Sequence, residues 1–214
     1  MRFSWLILAV VLLPASVSAQ AIALGIKAGP NSSGQAGWCC GDPKPFDDLQ
    51  GVAAGLTATV ALSTVLGFQV EALYAQKGIQ GTAGFFMRQE YLELPLLVRA
   101  TGLNGRAVSP VLLLGVAPAL ELSCRGRTTL PTLAVVGGGA PPLVPLNCAE
   151  MRTYRGDVGL IGAVGADLHL GRATWSAELR YSHGLSNLTR GWEYIPRTTN
   201  RSLALLLGVR RKSR

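Results

Sequence analysis

The stretch TWSAELRYSH, residues 174–183, decides the fold, because its polar and apolar residues alternate from Thr174 to Ser182. Its odd positions carry Trp, Ala, Leu and Tyr before the final His183, whereas its even positions carry Thr, Ser, Glu, Arg and Ser. Side chains of a β-strand point alternately to two faces, whereas a helix would scatter Glu178 and Arg180 around its circumference. The stretch is therefore predicted to be a strand with one apolar and one polar face.

The same alternation recurs along the chain, most clearly over residues 68–77 and 91–99. The pattern favours an all-β fold. Applied throughout, it predicts eight strands, at about 21–28, 51–63, 66–77, 89–100, 108–122, 156–169, 173–183 and 201–210.

The connections between these strands alternate in length. Three are tight, and the one at 102–105 contains Asn104-Gly105, a strong β-hairpin signal. Short turns at one end and long loops at the other are typical of outer-membrane barrels, and an even strand number closes the sheet and removes its edges. We therefore predict an eight-stranded antiparallel up-and-down transmembrane β-barrel. The longer connections are Gly29–Gln50, Gly78–Arg88, Ser123–Arg155 and Gly184–Asn200.

The composition suits a membrane protein built from strands. Of the 214 residues, 49% are hydrophobic and only 15% are charged, against roughly 25% charged in a soluble domain. This balance excludes a disordered chain and argues against a cytosolic α/β enzyme. The longest apolar runs after the N-terminal segment, 111–122 and 130–146, are interrupted by proline or glycine. Neither predicts a transmembrane helix.

The N-terminal residues have the pattern of a secretory signal peptide. A basic start, Met1-Arg2, precedes the apolar run Trp5 to Leu13, and Val17-Ser18-Ala19 supplies small residues for cleavage. The run is too short to span a bilayer. We expect residues 1–19 to be the signal peptide, 20–214 to be the barrel domain, and the protein to reside in the outer membrane.

The two faces of the predicted strands differ in chemistry. One is nearly pure Leu, Val, Ala and aromatic residues, with Phe68, Tyr74, Trp175 and Tyr181 expected towards lipid and its interfaces. The other mixes small residues with isolated charges, which suits a narrow lumen. A lipocalin-like secreted binder is the alternative, and it would place the apolar face inside. The polar residues expected to face the lumen are Lys27, Gln69, Glu71, Glu93, Arg99, Glu121, Asp167, His169, Glu178, Arg180 and Arg210.

Several stretches resemble the PorT-like outer-membrane β-barrel family, whose members are often called porin-family proteins. They are GIKAG at 25–29, VEALYAQKG at 70–78 and YLELPLL at 91–97, followed by 162–170, 179–185 and 207–210. The resemblance implies an eight-stranded outer-membrane barrel without a cofactor or a shared enzymatic activity. The expected partners are outer-membrane lipid, the barrel-assembly machinery and an unknown external ligand bound through the loops. We expect a monomer that binds no nucleic acid.

The charges expected in the lumen admit three interpretations: a catalytic acid/base set, a pore-lining selectivity ring, or a charge-paired network that fills the barrel. Eight strands leave an interior just wide enough for side chains, and lone charges in a dry lumen need partners. The filling network is therefore favoured. Its candidate members are Glu71, Glu93, Arg99, Asp167, Glu178 and Arg180.

All four cysteines, Cys39, Cys40, Cys124 and Cys148, fall in predicted long loops of an exported protein, which favours disulfides. Pairing of Cys124 with Cys148 inside one loop is the simplest closure, and Cys39 or Cys40 could instead pair with that loop. The spacing matches no zinc pattern, so no metal site is expected.

An enzyme is suggested only by the segment His183-Gly184-Leu185-Ser186-Asn187, which resembles the His and Ser-Asn pair of lipid A deacylase barrels. One extra residue separates His183 from Ser186, so in a continuous strand the two would face opposite sides. We therefore expect no enzymatic activity. The favoured function is a structural or surface-recognition role through the external loops. A narrow outer-membrane channel and a lipid-modifying enzyme are the alternatives.

Overall fold

A computed structural model describes residues 22–36, 47–81, 84–102, 107–129, 143–146, 155–187 and 198–212. The predicted signal peptide lies outside these residues, as do Cys39, Cys40 and Cys148. No helix in the described ranges is both long and apolar enough to cross a membrane. The described strands are β1 (Ile22–Ala36), β2 (Asp47–Ala61), β3 (Leu66–Gln80), β4 (Phe86–Glu93), β5 (Leu96–Thr101), β6 (Val108–Thr129), β7 (Leu143–Leu146), β8 (Gly156–Leu170), β9 (Ala173–Gly184) and β10 (Thr199–Lys212).

The strands form one antiparallel sheet that closes into a ring. Each barrel strand pairs with the next along the chain, and β1 closes the ring by pairing with β10. Strands β4 and β5 both pair with β3 on one side and with β6 on the other, so together they serve as one barrel strand. The predicted eight-stranded barrel is thereby confirmed.

The break between β4 and β5 has a local cause. Pro95 has no N–H to donate to the ladder. Its carbonyl still accepts a hydrogen bond from Glu71 N at 3.0 Å, and Leu94 N donates to the Pro118 carbonyl at 2.9 Å. The path of the strand across the barrel wall therefore continues through the proline.

The two ends of the barrel differ. At one end, here called the turn end, short connections at 62–65, 102–107 and 171–172 join β2 to β3, β5 to β6 and β8 to β9. The opposite end, here called the loop end, carries the remaining connections. In outer-membrane barrels the short turns face the periplasm and the longer loops face outwards.

Two predicted loops are shorter than expected. Strand β1 continues to Ala36 instead of ending near residue 28, and β3 and β4 leave only residues 81–85 between them instead of 78–88. The predicted loop from 123 to 155 also contains strand structure, because β6 runs on to Thr129 and pairs there with β7. We call residues 126–129 and 143–146 the β6–β7 arm.

The side chains follow the predicted two-faced pattern. Leu56, Val164 and Leu207 on the outer face are 62%, 56% and 61% exposed, whereas Leu97 and Leu113 inside are 0% and 1% exposed. The lumen also holds an apolar cluster that the polar-face prediction did not include. It lies on β5, β6 and β8 and comprises Leu97, Val111, Leu113, Ala117, Ile161 and Ala163.

The barrel lumen as the candidate functional site

The middle of the lumen is filled by four charged side chains. Arg180 Nη1 and Nη2 donate to the two oxygens of Glu71 at 2.8 and 2.9 Å, and Arg180 Nε donates to Glu178 at 2.6 Å. Lys27 Nζ lies 2.7 Å from Glu71 and 2.8 Å from Glu178. Two cations and two anions balance, so this middle tier is neutral.

Strand alternation explains how these four side chains meet. Lys27 lies on β1, Glu71 on β3, and Glu178 and Arg180 on β9. Each occupies an inward position, and each is between 1% and 6% exposed. Ionised groups buried this deeply require both ion pairing and saturated hydrogen bonding, and the geometry supplies both.

A second tier lies nearer the turn end. The Asp167 carboxylate accepts hydrogen bonds from both Arg99 and Arg210, including one from Arg210 Nη1 at 3.2 Å. Arg99 Nη1 also donates to Gln69 Oε1 at 3.1 Å. Two arginines share one carboxylate, which leaves this tier with a formal charge of +1.

A third tier lies nearer the loop end. Lys77 Nζ is 2.5 Å from Glu93 and 5.5 Å from the centroid of the Tyr91 ring. Asn200 Nδ2 donates to Asp157 at 3.0 Å and to the Tyr91 hydroxyl oxygen at 3.3 Å. One cation faces two carboxylates, so these groups have a formal charge of −1.

A wide space inside the barrel lies at the turn end. A cavity of about 610 Å³ opens there, and the Arg99, Asp167 and Arg210 tier forms its inner end. Voids beside the middle tier measure about 10 Å³ each, which is about the volume that one water needs. The lumen is therefore tightly packed around the middle tier.

The model of one protein family, described as outer membrane protein beta-barrel domain, matches residues 18–190. The chain belongs to this family. Among solved structures it is similar to Neisserial surface protein A, with 14% identity over 90% of this chain and 97% of that one, at a TM-score of 0.54. OprG from Pseudomonas aeruginosa shares 16% identity over 91% and 97%, with a TM-score of 0.50. The outer membrane enzyme PagL shares 11% over 86% and 97%, with a TM-score of 0.44. No curated protein sequence matches the chain.

Membership of this outer-membrane barrel family places the protein in the outer membrane. The leucines of the outer face therefore contact lipid, as the sequence predicts. Trp175 and Tyr181, 53% and 49% exposed, lie on that face. The lipocalin-like alternative is excluded, because the exposed apolar face points out of the barrel and the ion pairs lie inside.

All six residues predicted for the lumen network lie inside the barrel, but in three tiers instead of one network. Lys27 completes the middle tier, although the sequence placed it only among the inward residues. Lys77 and Asp157 were missed. The alternation that places Glu71 inside also places Lys77 inside, so this signal was available. The exposed fractions of the six predicted residues are Glu71 1%, Glu93 6%, Arg99 5%, Asp167 1%, Glu178 5% and Arg180 3%.

The residues of the suggested enzyme site make separate contacts. The His183 ring stacks on Tyr181 of the outer face, with ring centroids 6.5 Å apart. The Ser186 hydroxyl oxygen accepts a hydrogen bond from Val158 N at 3.1 Å. Within the described residues, no hydrogen bond joins His183 to Ser186, whereas a nucleophile and its base normally lie within hydrogen-bond reach.

The described part of the chain contains no group of three His, Cys, Asp or Glu side chains arranged to hold a metal ion. Cys124 is disulfide-bonded. It packs beside the buried pair Ile79 and Met87 near the base of the β6–β7 arm. Because the other three cysteines lie outside the described residues, the pairing of Cys124 with Cys148 stays a prediction.

Proposed function

We propose that the protein is a non-conducting, non-enzymatic outer-membrane scaffold whose loop end serves in surface recognition. The observation that carries this proposal is the packing of the lumen by three tiers of buried charged groups. A lumen filled in this way leaves the outer face and the loop end as the working surfaces of the molecule.

The energetics of the middle tier support the absence of conduction. A solute crossing the lumen would have to separate Arg180 from Glu71 and Glu178, and breaking a buried ion pair costs about 3–5 kcal/mol. Barrels that leave an aqueous channel typically have about 16 strands, whereas eight strands enclose only side chains. Thermal opening of this tier is therefore rare.

The β6–β7 arm supports a role in recognition. Its two segments are paired in register from Gly126↔Leu146 to Thr129↔Leu143, and residues 128 and 129 lie beyond the part of β6 that is paired with β4. Loops held on a rigid scaffold commonly carry binding functions. A paired arm with a disulfide-bonded cysteine near its base suits a preformed binding surface.

A narrow channel is the second candidate, because the turn-end cavity of about 610 Å³ would form the first part of a path for solutes through the barrel. The middle tier blocks the continuation of this path.

We also propose, from the stretches at 70–78 and 91–97, that the chain belongs among the PorT-like barrels. We further propose that the barrel-assembly machinery inserts the protein into the membrane, that the protein is a monomer, and that it binds no nucleic acid.

Removal of the arm tests the recognition role. Residues 127–145 are replaced by Asn-Gly, because Gly126 and Leu146 are register partners that a two-residue turn can join. Cells displaying the protein or this variant are compared on glycan arrays and immobilised matrix proteins, after heat-modifiable gel mobility has shown that both barrels fold. The proposal expects binding that the variant loses. Equal binding by both proteins, or no binding above cells lacking the protein, would refute it.

A further inference from the structure

Three arginines form a group on the outer face near the loop end: Arg88 on β4, and Arg125 and Arg127 on β6. Arg88 lies directly opposite Arg125, and Phe86 lies opposite Arg127. Met87 and Gln89, which flank Arg88 in β4, are 7% and 0% exposed and point into the barrel. The arginines therefore point outwards, and Arg125 and Arg127 are exposed.

Within the described residues, no carboxylate compensates the positive charge of this arginine group. None of the ion pairs or side-chain hydrogen bonds of the described residues involves any of the three, and Arg88 Nε is buried without a partner. The neighbouring acid, Glu90, instead accepts a hydrogen bond from the Ser123 hydroxyl at 2.9 Å. Like charges directly opposite each other destabilise a sheet, so an external anion would relieve a cost that folding incurs.

A loop-end arginine elsewhere on the barrel provides a comparison. Arg201 on β10 has a carboxylate partner, with Arg201 Nη2 3.3 Å from Asp48 Oδ1. An arginine near the loop end can thus be neutralised by a carboxylate two strands away, across β1. The group on β4 and β6 lacks such a partner within the described residues.

The height of the group places it at the lipid headgroups. The aliphatic part of the outer face ends at Leu92 on β4, which is 38% exposed, and at Leu122 on β6, which is 54% exposed. Arg88 lies four residues, and Arg125 three residues, nearer the loop end. At about 2.5 Å of height per residue in a tilted strand, these positions are about 8–10 Å above the apolar limit. The headgroup layer extends about 5–8 Å beyond the hydrocarbon on each side, and the long arginine stems reach back from these positions into it.

We propose that Arg88, Arg125 and Arg127 bind the phosphate groups of a phosphorylated glycolipid in the outer leaflet. A guanidinium matches phosphate oxygens with two parallel hydrogen bonds. The acyl chains of the same molecule would lie on the leucine surface directly below the arginines. A soluble anion would use only the charged part, whereas a lipid uses both parts, so the stacked arrangement favours the lipid. The inference rests on the outer-membrane location. Arg127 also belongs to the β6–β7 arm, whereas Arg88 and Arg125 lie outside it.

Binding of lipid A by the full-length protein tests the site. The protein is reconstituted in phosphatidylcholine nanodiscs, and its affinity for added bisphosphorylated lipid A is compared with that of Arg125→Gln/Arg127→Gln. The matched control is Arg172→Gln/Arg211→Gln, which removes two exposed arginines at the turn end. We expect the loop-end variant to bind roughly 10- to 100-fold more weakly, the control to bind as the parent does, and dephosphorylated lipid A to bind both variants alike.

Heat-modifiable gel mobility verifies that each variant is folded before affinities are compared. Equal affinity of the parent and the loop-end variant would overturn the proposal, and so would an equal loss in the turn-end control. Inositol hexakisphosphate, added without lipid, tests whether the site binds the phosphate groups of a lipid or those of a soluble anion. If it bound the parent as tightly as lipid A does, the site would belong to soluble anions, and the lipid assignment would be wrong.

Discussion

Replacement of Arg180 by methionine is the perturbation that examines the middle tier most sharply. Methionine keeps much of the volume and flexibility of the aliphatic stem but removes three hydrogen bonds, of 2.6, 2.8 and 2.9 Å, to Glu178 and Glu71. The tier then changes from neutral to a formal charge of −1, because Lys27 is the one cation of the four that remains beside the two carboxylates. Removing one partner of a buried ion pair costs about 3–5 kcal/mol, and we expect a loss in that range.

A second substitution separates lost charge balance from lost packing. In Arg180→Met/Glu71→Gln, Lys27 and Glu178 remain as a single pair at 2.8 Å, so the tier is neutral again. Directly contacting groups commonly show coupling of about 0.5–3 kcal/mol. The double variant should therefore be more stable than the single variant, although it carries one substitution more.

Urea unfolding in lipid vesicles measures these differences through tryptophan fluorescence, to which the lipid-facing Trp175 contributes. The exposed Arg172 at the turn end supplies the control, because Arg172→Met should change the free energy of unfolding by at most about 0.5 kcal/mol. A loss below about 1 kcal/mol in Arg180→Met would refute the reasoning. So would a double variant that is no more stable than Arg180→Met.

Three further predictions concern the outer face, the wall and the loops. Leu114→Arg places a charge at a lipid-facing position where the leucine is 54% exposed. It should lower the free energy of unfolding in vesicles by about 2–4 kcal/mol, and an unchanged urea midpoint would argue against lipid contact. Gly55→Ala should reduce the amount of the folded, heat-modifiable gel band, because the added Cβ would lie 2.0 Å from a carbonyl oxygen of the next strand. Gly162→Ala is the control and should fold normally, because its added Cβ would lie 3.7 Å from the nearest atom. Non-reducing peptide mapping should find Cys124 joined to Cys148, and free thiols at both positions would contradict that pairing.

The barrel was predictable from the sequence wherever one strand face contacts lipid, because lipid contact imposes strict alternation. Beyond the lipid band this signal disappears. The last residues of β1 place Asn31, Ser33 and Gln35 inside, but Ser32 and Gly34 between them are not apolar. Polar residues on both faces look like a loop, so the sequence places the end of β1 too early.

The arrangement of the lumen charges was predictable only in part. Alternation shows which charges point inwards, but contacts such as Lys27 with Glu71 and Glu71 with Arg180 join residues 44 and 109 positions apart. Which of them meet depends on the stagger between strands as the barrel closes. That stagger emerges from the pairing of the whole ring, so the division into three tiers was not evident from any one strand.

Conductance of the refolded protein in planar bilayers tests the central claim, the closed lumen, most directly. With a 16-stranded porin as the positive control, the protein should insert without producing stable current steps, because the middle tier blocks the path from the turn-end cavity. Stable single-channel steps that change in size when Glu93 or Arg180 is neutralised would contradict this account and establish the lumen as a channel.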